Sequence, residues 1–328
     1  MSTAKKIVSL MIALIILLSC AACSSSSSKG RQVHLAIQPS CAFIPMYIAR
    51  ENGWIDEAMK NIGVEVVWTD FEAGPPMNES FAAGQQDIGV IGDVPAVTAV
   101  ANGQNNVYIA SEEGGTFCAM LVMEDSGINS VADLKGKKIG VTIGSTGQNL
   151  TQKILASAGL DFYTDVEAIN VSMGEAQIVL TNHDVDAVVV WEPNVSRIAA
   201  IDGVKILIDG GSVGFAGVNV VFARKPFVDA NADIVEAFLE QYWRAAKAFK
   251  ENPGEYTKMI SEIFNLDESL LLEASAKCNY TMEFTDVSTS GLQDTVSFLL
   301  GIESISREIN VKDYIADDIA KKVISANP

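Results

Sequence analysis

From Arg31 onward the chain alternates short apolar runs with stretches in which apolar residues recur every third or fourth position. The runs Val33–Ile37, Val64–Trp68, Asp87–Ile91, Val107–Ala110, Ala119–Met123, Lys138–Ile143, Val185–Trp191, Lys205–Ile208 and Val218–Ala223 predict strands. Many are apolar throughout instead of alternating, the pattern of strands covered on both faces. Between them, Pro45–Asn52, Pro76–Ala83, Pro95–Ala101, Gly147–Ser157 and Glu175–Thr181 predict helices. This order predicts an α/β fold with mostly parallel sheets flanked by helices. After Pro226 the texture changes. Ala232–Lys250 carries Val235, Phe238, Leu239, Tyr242, Ala246 and Phe249 as a helical stripe, and the remainder predicts helix to the end. A chain of 328 residues is long enough for two domains. It has no internal linker rich in Pro, Gly or Ser, so two lobes must be joined by ordinary strands crossing between them.

Ahead of this body, Lys5 and Lys6 precede the apolar run Ile7–Leu18, then Ser19-Cys20-Ala21-Ala22-Cys23 and five serines. That order predicts a secretory signal over residues 1–22 and a tether over residues 23–30. The apolar run is too short for a membrane span. A cysteine after small residues at the end of such a run resembles the lipobox of bacterial lipoproteins, whose thiol is acylated. Cys23 is the expected lipidation site and Cys20 the alternative. The folded part is then extracytoplasmic, anchored to the cell membrane by its N-terminal lipid.

Charge narrows the partners. The chain has 23 Lys and Arg against 41 Asp and Glu, a formal −18, which repels nucleic acid and anionic membrane surfaces. Cleavage before Cys23 removes Lys5 and Lys6 and no acid, leaving 21 against 41. Only two histidines, His34 and His183, are present, which argues against multi-histidine metal sites and most histidine-based triads. Cys41, Cys118 and Cys278 are odd in number and widely spaced, so buried thiols are expected and a disulfide framework is not. No cofactor and no metal is expected.

The strand-to-helix loops carry the functional signal. Gln38–Pro45, Glu72–Pro76, Gly92–Pro95 and Gly144–Gly147 place Gly, Pro, Ser or Asp where a helix begins. In an open parallel sheet such loops gather at the carboxyl ends of the strands, where ligands bind. Helix N-termini there offer unpaired N–H groups and a positive dipole end, which suit an anion or a strong acceptor. Ser145 and Thr146 equally suit a plain N-cap, and Asp93 suits either a cap or a ligand contact. Trp191 and Glu192 end an apolar strand, where an indole beside a carboxylate could wall a ligand and bind its polar group.

Read in order, Val66-Val67-Trp68-Thr69-Asp70-Phe71-Glu72-Ala73-Gly74-Pro75, Ala83-Gly84 with Asp87-Ile88-Gly89, Gly92-Asp93-Val94-Pro95, Ser130 to Lys138, Gly144-Ser145, Val185-Asp186-Ala187 and Trp191-Glu192-Pro193 resemble the aliphatic sulfonate-binding family. These are extracytoplasmic receptors of ABC importers, related to the taurine, nitrate and thiamine-precursor receptors. The resemblance spans about Val33 to Lys312 and implies a two-lobed periplasmic-binding-protein-like fold of type II. It implies crossings near Gly115–Ala119 and Phe215–Asn219, with residues 31–116 and 216–328 in the first lobe and 117–215 in the second. Gln38, Ser40, Gly74, Pro75, Gly92 and Asp93 would line one wall of the cleft. Ser145, Thr146, Trp191 and Glu192 would line the other. The implied role is a monomeric receptor that captures a small sulfonate and passes it to a membrane permease. Two alternatives accompany it, a receptor for a thiamine pyrimidine precursor or nitrate-type anion, and an enzyme on the same scaffold akin to the pyrimidine synthases. Cys118 stands where that family commonly has a polar residue.

None of the segments Gln38–Pro45, Glu72–Met77, Gly92–Pro95, Gly144–Gln148 and Trp191–Asn194 contains Lys or Arg, while Glu72, Asp93 and Glu192 lie within them. An anion would have to be held by amides, hydroxyls and helix dipoles. A zwitterion such as taurine, with its ammonium near Glu192, would reconcile the acids with the anion.

Overall fold

A computed structural model describes residues 30–113, 117–215 and 217–327. The signal sequence, Cys20, Cys23 and the tether read from the sequence, apart from Gly30, lie outside the described residues. The chain opens with β1 (Arg31–Ile37), a 3-10 turn at Cys41–Phe43, α1 (Ile44–Glu51), α2 (Trp54–Asn61), β2 (Val64–Asp70), α3 (Gly74–Ala82), β3 (Ile88–Gly92), α4 (Asp93–Ala101) and β4 (Asn106–Glu113). It continues with β5 (Cys118–Met123), β6 (Lys138–Val141), α5 (Thr146–Ser157), β7 (Glu167–Asn170), α6 (Ala176–Thr181), β8 (Ala187–Trp191), α7 (Asn194–Ala199) and β9 (Val204–Asp209). The last part comprises β10 (Val218–Arg224), α8 (Lys225–Ala230), α9 (Ala232–Glu251), α10 (Pro253–Phe264), α11 (Glu268–Ser275), β11 (Asn279–Met282), α12 (Asp286–Gly301) and α13 (Asp318–Ala326).

Two sheets result, one ordered β11-β4-β10-β3-β1-β2 and the other β7-β6-β8-β5-β9. The molecule is therefore two-lobed. The chain leaves the first sheet at the end of β4, builds the second from β5 to β9, and returns as β10. The sheets are mixed, which corrects the expectation of mostly parallel pairing. β1 runs parallel to β2 and β3, and β6 runs parallel to β7 and β8. β10 is antiparallel to β3 and β4, and β5 is antiparallel to β8 and β9. The crossings are the cause. A strand entering a sheet from the side at which its neighbours finish has to run against them, and apolar composition carries no sign of that direction.

Both faces of each sheet are covered, so β3 and β8 are buried along their whole length. One core lies between the first sheet and α1, α2, α9 and α10, with Phe238, Leu239 and Tyr242 among its buried side chains. On the opposite face α4 and α12 contribute Val97, Val100, Leu292 and Val296. The stripe expected on α9 is the buried one, extended by Ile234 and Ala245. A helical remainder after Pro226 is also corrected. The four-residue edge strand β11 interrupts it, pairing with β4, and its Asn-Tyr-Thr-Met sequence has too little apolar content to signal a strand.

The α12 N-terminus shows how local chemistry places a distant contact. Thr285 caps it, accepting from the amides of Val287 and Ser288, while Ser288 accepts from the Thr285 amide. Such a reciprocal box fixes where the helix starts. From there Leu292, Val296 and Leu299 face the core and Thr295, on the same buried side, reaches Asp93.

Candidate ligand cavity between the lobes

Between the lobes lies a narrow cavity lined by Gln38, Ser40, Phe43, Gly74, Gly92, Pro95, Phe117, Ser145, Thr146, Trp191 and Asn219. The loop after β1, the end of β3, the start of α5 and the end of β8 meet there. Seven of the ten residues expected from the sequence are in this lining, and Pro75, Asp93 and Glu192 are not.

The N-terminus of α5 is built by a short set of bonds. Gly144 takes a positive φ of 78°, and its N–H donates to Gln148 Oε1 at 2.8 Å. Ser145 is the N-cap, accepting from the Gly147 amide at 3.1 Å and donating to the Thr142 carbonyl at 2.7 Å. The Thr146 hydroxyl donates to Asp93 Oδ1 at 2.6 Å. Both hydroxyls thus serve the fold first, and what the helix end offers the cavity is its dipole and its first-turn amides. In the facing lobe Ser40 caps the turn at Cys41–Phe43, accepting from the Ala42 amide at 3.2 Å. Gln38 Oε1 and Asn219 Nδ2 are buried and have no hydrogen-bond partner. Buried groups left like this are costly unless something arrives to pair with them.

Gly92 explains the close approach of the lobes. A methyl group there would lie 2.4 Å from Thr146 Oγ1. Gly74 is packed as tightly, since its methyl would meet Pro95 Cγ at 2.4 Å. Pro75 stands just outside the cavity, opposite Gly144 of the other lobe.

Asp93 opens α4, where a carboxylate is favoured by the helix dipole. Burial pushes its pKa up, opposed by the hydroxyls of Thr146 and Thr295, the Val94 amide and the Asn149 side chain. Thr295 donates to its second oxygen at 2.6 Å, so Asp93 ties the lobes together and has no place in the lining. Glu192 is completely buried behind the wall. It accepts from the Ser196 amide at 3.0 Å and hydroxyl at 2.9 Å, capping α7, and pairs with Lys277 at 2.5 Å. An ammonium of a bound zwitterion would find this carboxylate already taken. The expectation that Glu192 receives such a group is therefore corrected: the carboxylate leaves β8 on the side of Lys277 and α7.

Further bonds hold the lobes in contact. Trp191 Nε1 donates to the Pro39 carbonyl at 3.1 Å, the Cys41 amide donates to the Glu192 carbonyl at 3.1 Å, and Arg197 Nη2 donates to the Phe264 carbonyl. Cys41, Cys118 and Cys278 are free thiols. Burial pushes all three thiols up, the opposite of the activation a nucleophile needs. His34 lies within β1 and His183 in a turn at φ 58°, both outside the cavity. Among the described residues no group of His, Cys, Asp or Glu is arranged to hold a metal ion.

Asn219, Phe43, Pro95 and Phe117 were not expected in the lining. Asn219 had a visible signal, as the lone polar residue in the run Val218–Ala223. For the two phenylalanines there was none, since an aromatic in a core and one facing a cavity look alike in sequence.

Comparison with known proteins agrees with this geometry. An aliphatic sulfonates-binding protein named from Bacillus subtilis strain 168 is 31% identical over 327 residues, covering 98% of this chain and 97% of that protein. A protein of the same description from Escherichia coli K12 is 33% identical over 182 residues, 55% of this chain and 56% of that one. The fold is shared with the alkanesulfonate-binding protein of Xanthomonas axonopodis pv. citri bound to MOPS, at a TM-score of 0.78 and 21% identity over 89% of this chain and all (100%) of that one. It is also shared with the desulfurization enzyme DSZB, at a TM-score of 0.68 and 14% identity, covering 90% of this chain and all (100%) of that one. A family model described as NMT1/THI5 like matches residues 40–256. With that match, and with a relative similar along nearly its whole length, the chain belongs to the NMT1/THI5-like family.

Proposed function

We propose that this protein is the extracytoplasmic receptor of an ABC importer, which captures a small sulfonate between its lobes and delivers it to a membrane permease. The observation that carries the reading is a cavity walled by both lobes whose lining contains no charged side chain. A sulfonate is a single negative charge spread over three oxygens, so neutral donors and a helix N-terminus can hold it without a cation. Gln38, Ser40, Gly74, Gly92, Ser145, Thr146, Trp191 and Asn219 form the binding surface in this reading. Phe43 and Phe117 take the carbon tail. A plain alkanesulfonate is favoured over taurine, because Asp93 and Glu192 are both engaged elsewhere. Acylation of Cys23, with Cys20 the alternative, would hold the receptor at the membrane. Among the described residues no helix is long and apolar enough to cross it.

A binding role is preferred over catalysis because the thiols near the cavity are pushed up by burial, and neither histidine reaches it. One observation favours a second ligand class: Phe43, Phe117 and Trp191 could sandwich a planar ring such as a thiamine pyrimidine precursor. Calorimetric titration of the purified protein with ethanesulfonate, taurine, nitrate and an aminomethylpyrimidine separates these readings. Binding of ethanesulfonate ahead of the others is the expected result, and binding of the pyrimidine alone would replace the ligand. Radiolabelled palmitate retained by the parent and lost in Cys23→Ala tests the anchor.

A further inference from the structure

A second pocket lies between the lobes beside the narrow cavity, with a volume of about 230 Å³. The two share no lining residue. The bond from Trp191 Nε1 to the Pro39 carbonyl joins a residue of the cavity lining to a residue of the pocket lining. From the second lobe the pocket takes Met173, Asn194 and Arg197, and from the first Glu72, Ile263 and Phe264. Unlike the cavity, it carries a charged side chain from each lobe.

Arg197, on α7, is half-buried and held by neutral groups alone. Its Nη1 donates to Asn194 Oδ1 at 2.5 Å. Its Nη2 donates to the carbonyl of Phe264, the last residue of α10, where the negative end of the helix dipole suits a cation. Each of these nitrogens keeps a second N–H, and Nε is buried with no hydrogen-bond partner. The guanidinium therefore has donors to spare, in the forked arrangement that matches two oxygens of an oxyanion. Among the described residues it forms no ion pair. Glu72, in the loop between β2 and α3, is exposed and is likewise in no ion pair among them.

A half-buried cation without a counter-charge has lost hydration that nothing in the fold replaces, and an oxyanion would replace it. A ligand that is only an anion meets Glu72 in the same pocket, and one that is only a cation meets Arg197. A molecule carrying both charges suits both. We propose that this pocket is a second ligand site for a small zwitterion, an amino sulfonate or an amino acid, with its oxyanion on Arg197, its ammonium on Glu72 and its short carbon spacer against Met173 and Ile263. Because its walls belong to different lobes, an occupant favours the arrangement in which they are together. Zwitterions and plain sulfonates are thereby divided between a charged pocket and an uncharged cavity. The site lies outside the sulfonate reading of the cavity and does not depend on it.

The test is an NMR titration of the ¹⁵N-labelled protein with taurine and with β-alanine, reading Arg197 Nε–H for the pocket and the Asn219 side-chain amide for the cavity. Arg197 should shift saturably with one or both, and the tighter of the two identifies the oxyanion. Ethanesulfonate and ethylamine carry one charge each and should act on Arg197 at least about tenfold more weakly, the loss expected for one hydrogen bond to a charged group. Glu72→Gln, at an exposed position, should weaken the zwitterion by a similar factor. An Arg197 resonance that stays fixed up to about 10 mM of both zwitterions overturns the site, and so does movement of Asn219 alone, which assigns the ligand to the cavity. Ethanesulfonate as effective on Arg197 as taurine, or a Glu72→Gln variant with the parent's affinity, overturns the pairing of charges. The analogues make that comparison without any variant. Failure of ethanesulfonate to move Asn219, with Arg197 answering the zwitterion, would remove the sulfonate reading and leave the second site standing.

Discussion

Lys277 Nζ lies 2.5 Å from Glu192 Oε1, joining the segment after α11 in the first lobe to the end of β8 in the second. Glu192 is fully buried, while the Lys277 side chain keeps 32% of its exposure. The carboxylate therefore depends on its partner more than the ammonium does. Lys277→Ala strands a buried charge, and an expected loss of about 2–3 kcal/mol in urea unfolding follows, below the full value for a dry pair because the lysine is partly solvated. Lys277→Met combined with Glu192→Met should recover much of it. A double variant as unstable as the single one would assign the loss to packing.

Thr146 and Asp93 form the corresponding bond beside the cavity. Thr146→Val keeps the shape and removes the donor, leaving Asp93 with one hydroxyl partner fewer. If closure carries ligand capture, this variant should bind ethanesulfonate about tenfold more weakly, since hydrogen bonds to a charged group are worth about 1.5–3 kcal/mol. Unchanged affinity in a titration would show that this bond does not contribute to capture.

Gly92→Ala tests the contact by bulk instead of by bonding. The added methyl would meet Thr146 Oγ1 at 2.4 Å, so closing the lobes requires Thr146 to turn and release Asp93. Gly92 itself has φ −74°, which alanine adopts freely. A drop in affinity of more than about tenfold is expected, with little change in the ligand-free melting temperature.

Glu112 makes stability depend on pH in a stated direction. Its carboxyl rises from 4.5 to about 8 on folding, so between those values the folded chain holds a proton that the unfolded chain has lost. This contribution is fully present below pH 4.5 and is lost as pH climbs to about 8. The parent should lose a few kcal/mol over that window through this group, and Glu112→Gln should show a flatter profile in denaturant unfolding across the same pH series. Equal slopes would mean that the carboxyl is solvated enough to titrate normally.

The apolar runs determined the strands because β3 and β8 are enclosed by helices on both faces, and only continuous hydrophobicity survives there. The stripe on α9 and the loop residues Gln38, Ser40, Gly74, Gly92, Ser145, Thr146 and Trp191 were equally readable, since helix starts and strand ends carry local chemistry. Strand direction was not readable, because β10 runs against β3 on account of where the chain re-enters the sheet. The roles of the acids were decided in the same way. Asp93 and Glu192 sit in loops that lead to the cavity, yet the first is held by Thr295, 202 residues away, and the second by Lys277, 85 residues away. A sequence determines which groups need partners through their polarity and their place in apolar runs. Which partner each one takes is decided only when distant segments are brought into contact, because a hydrogen bond depends on separation in space and not along the chain.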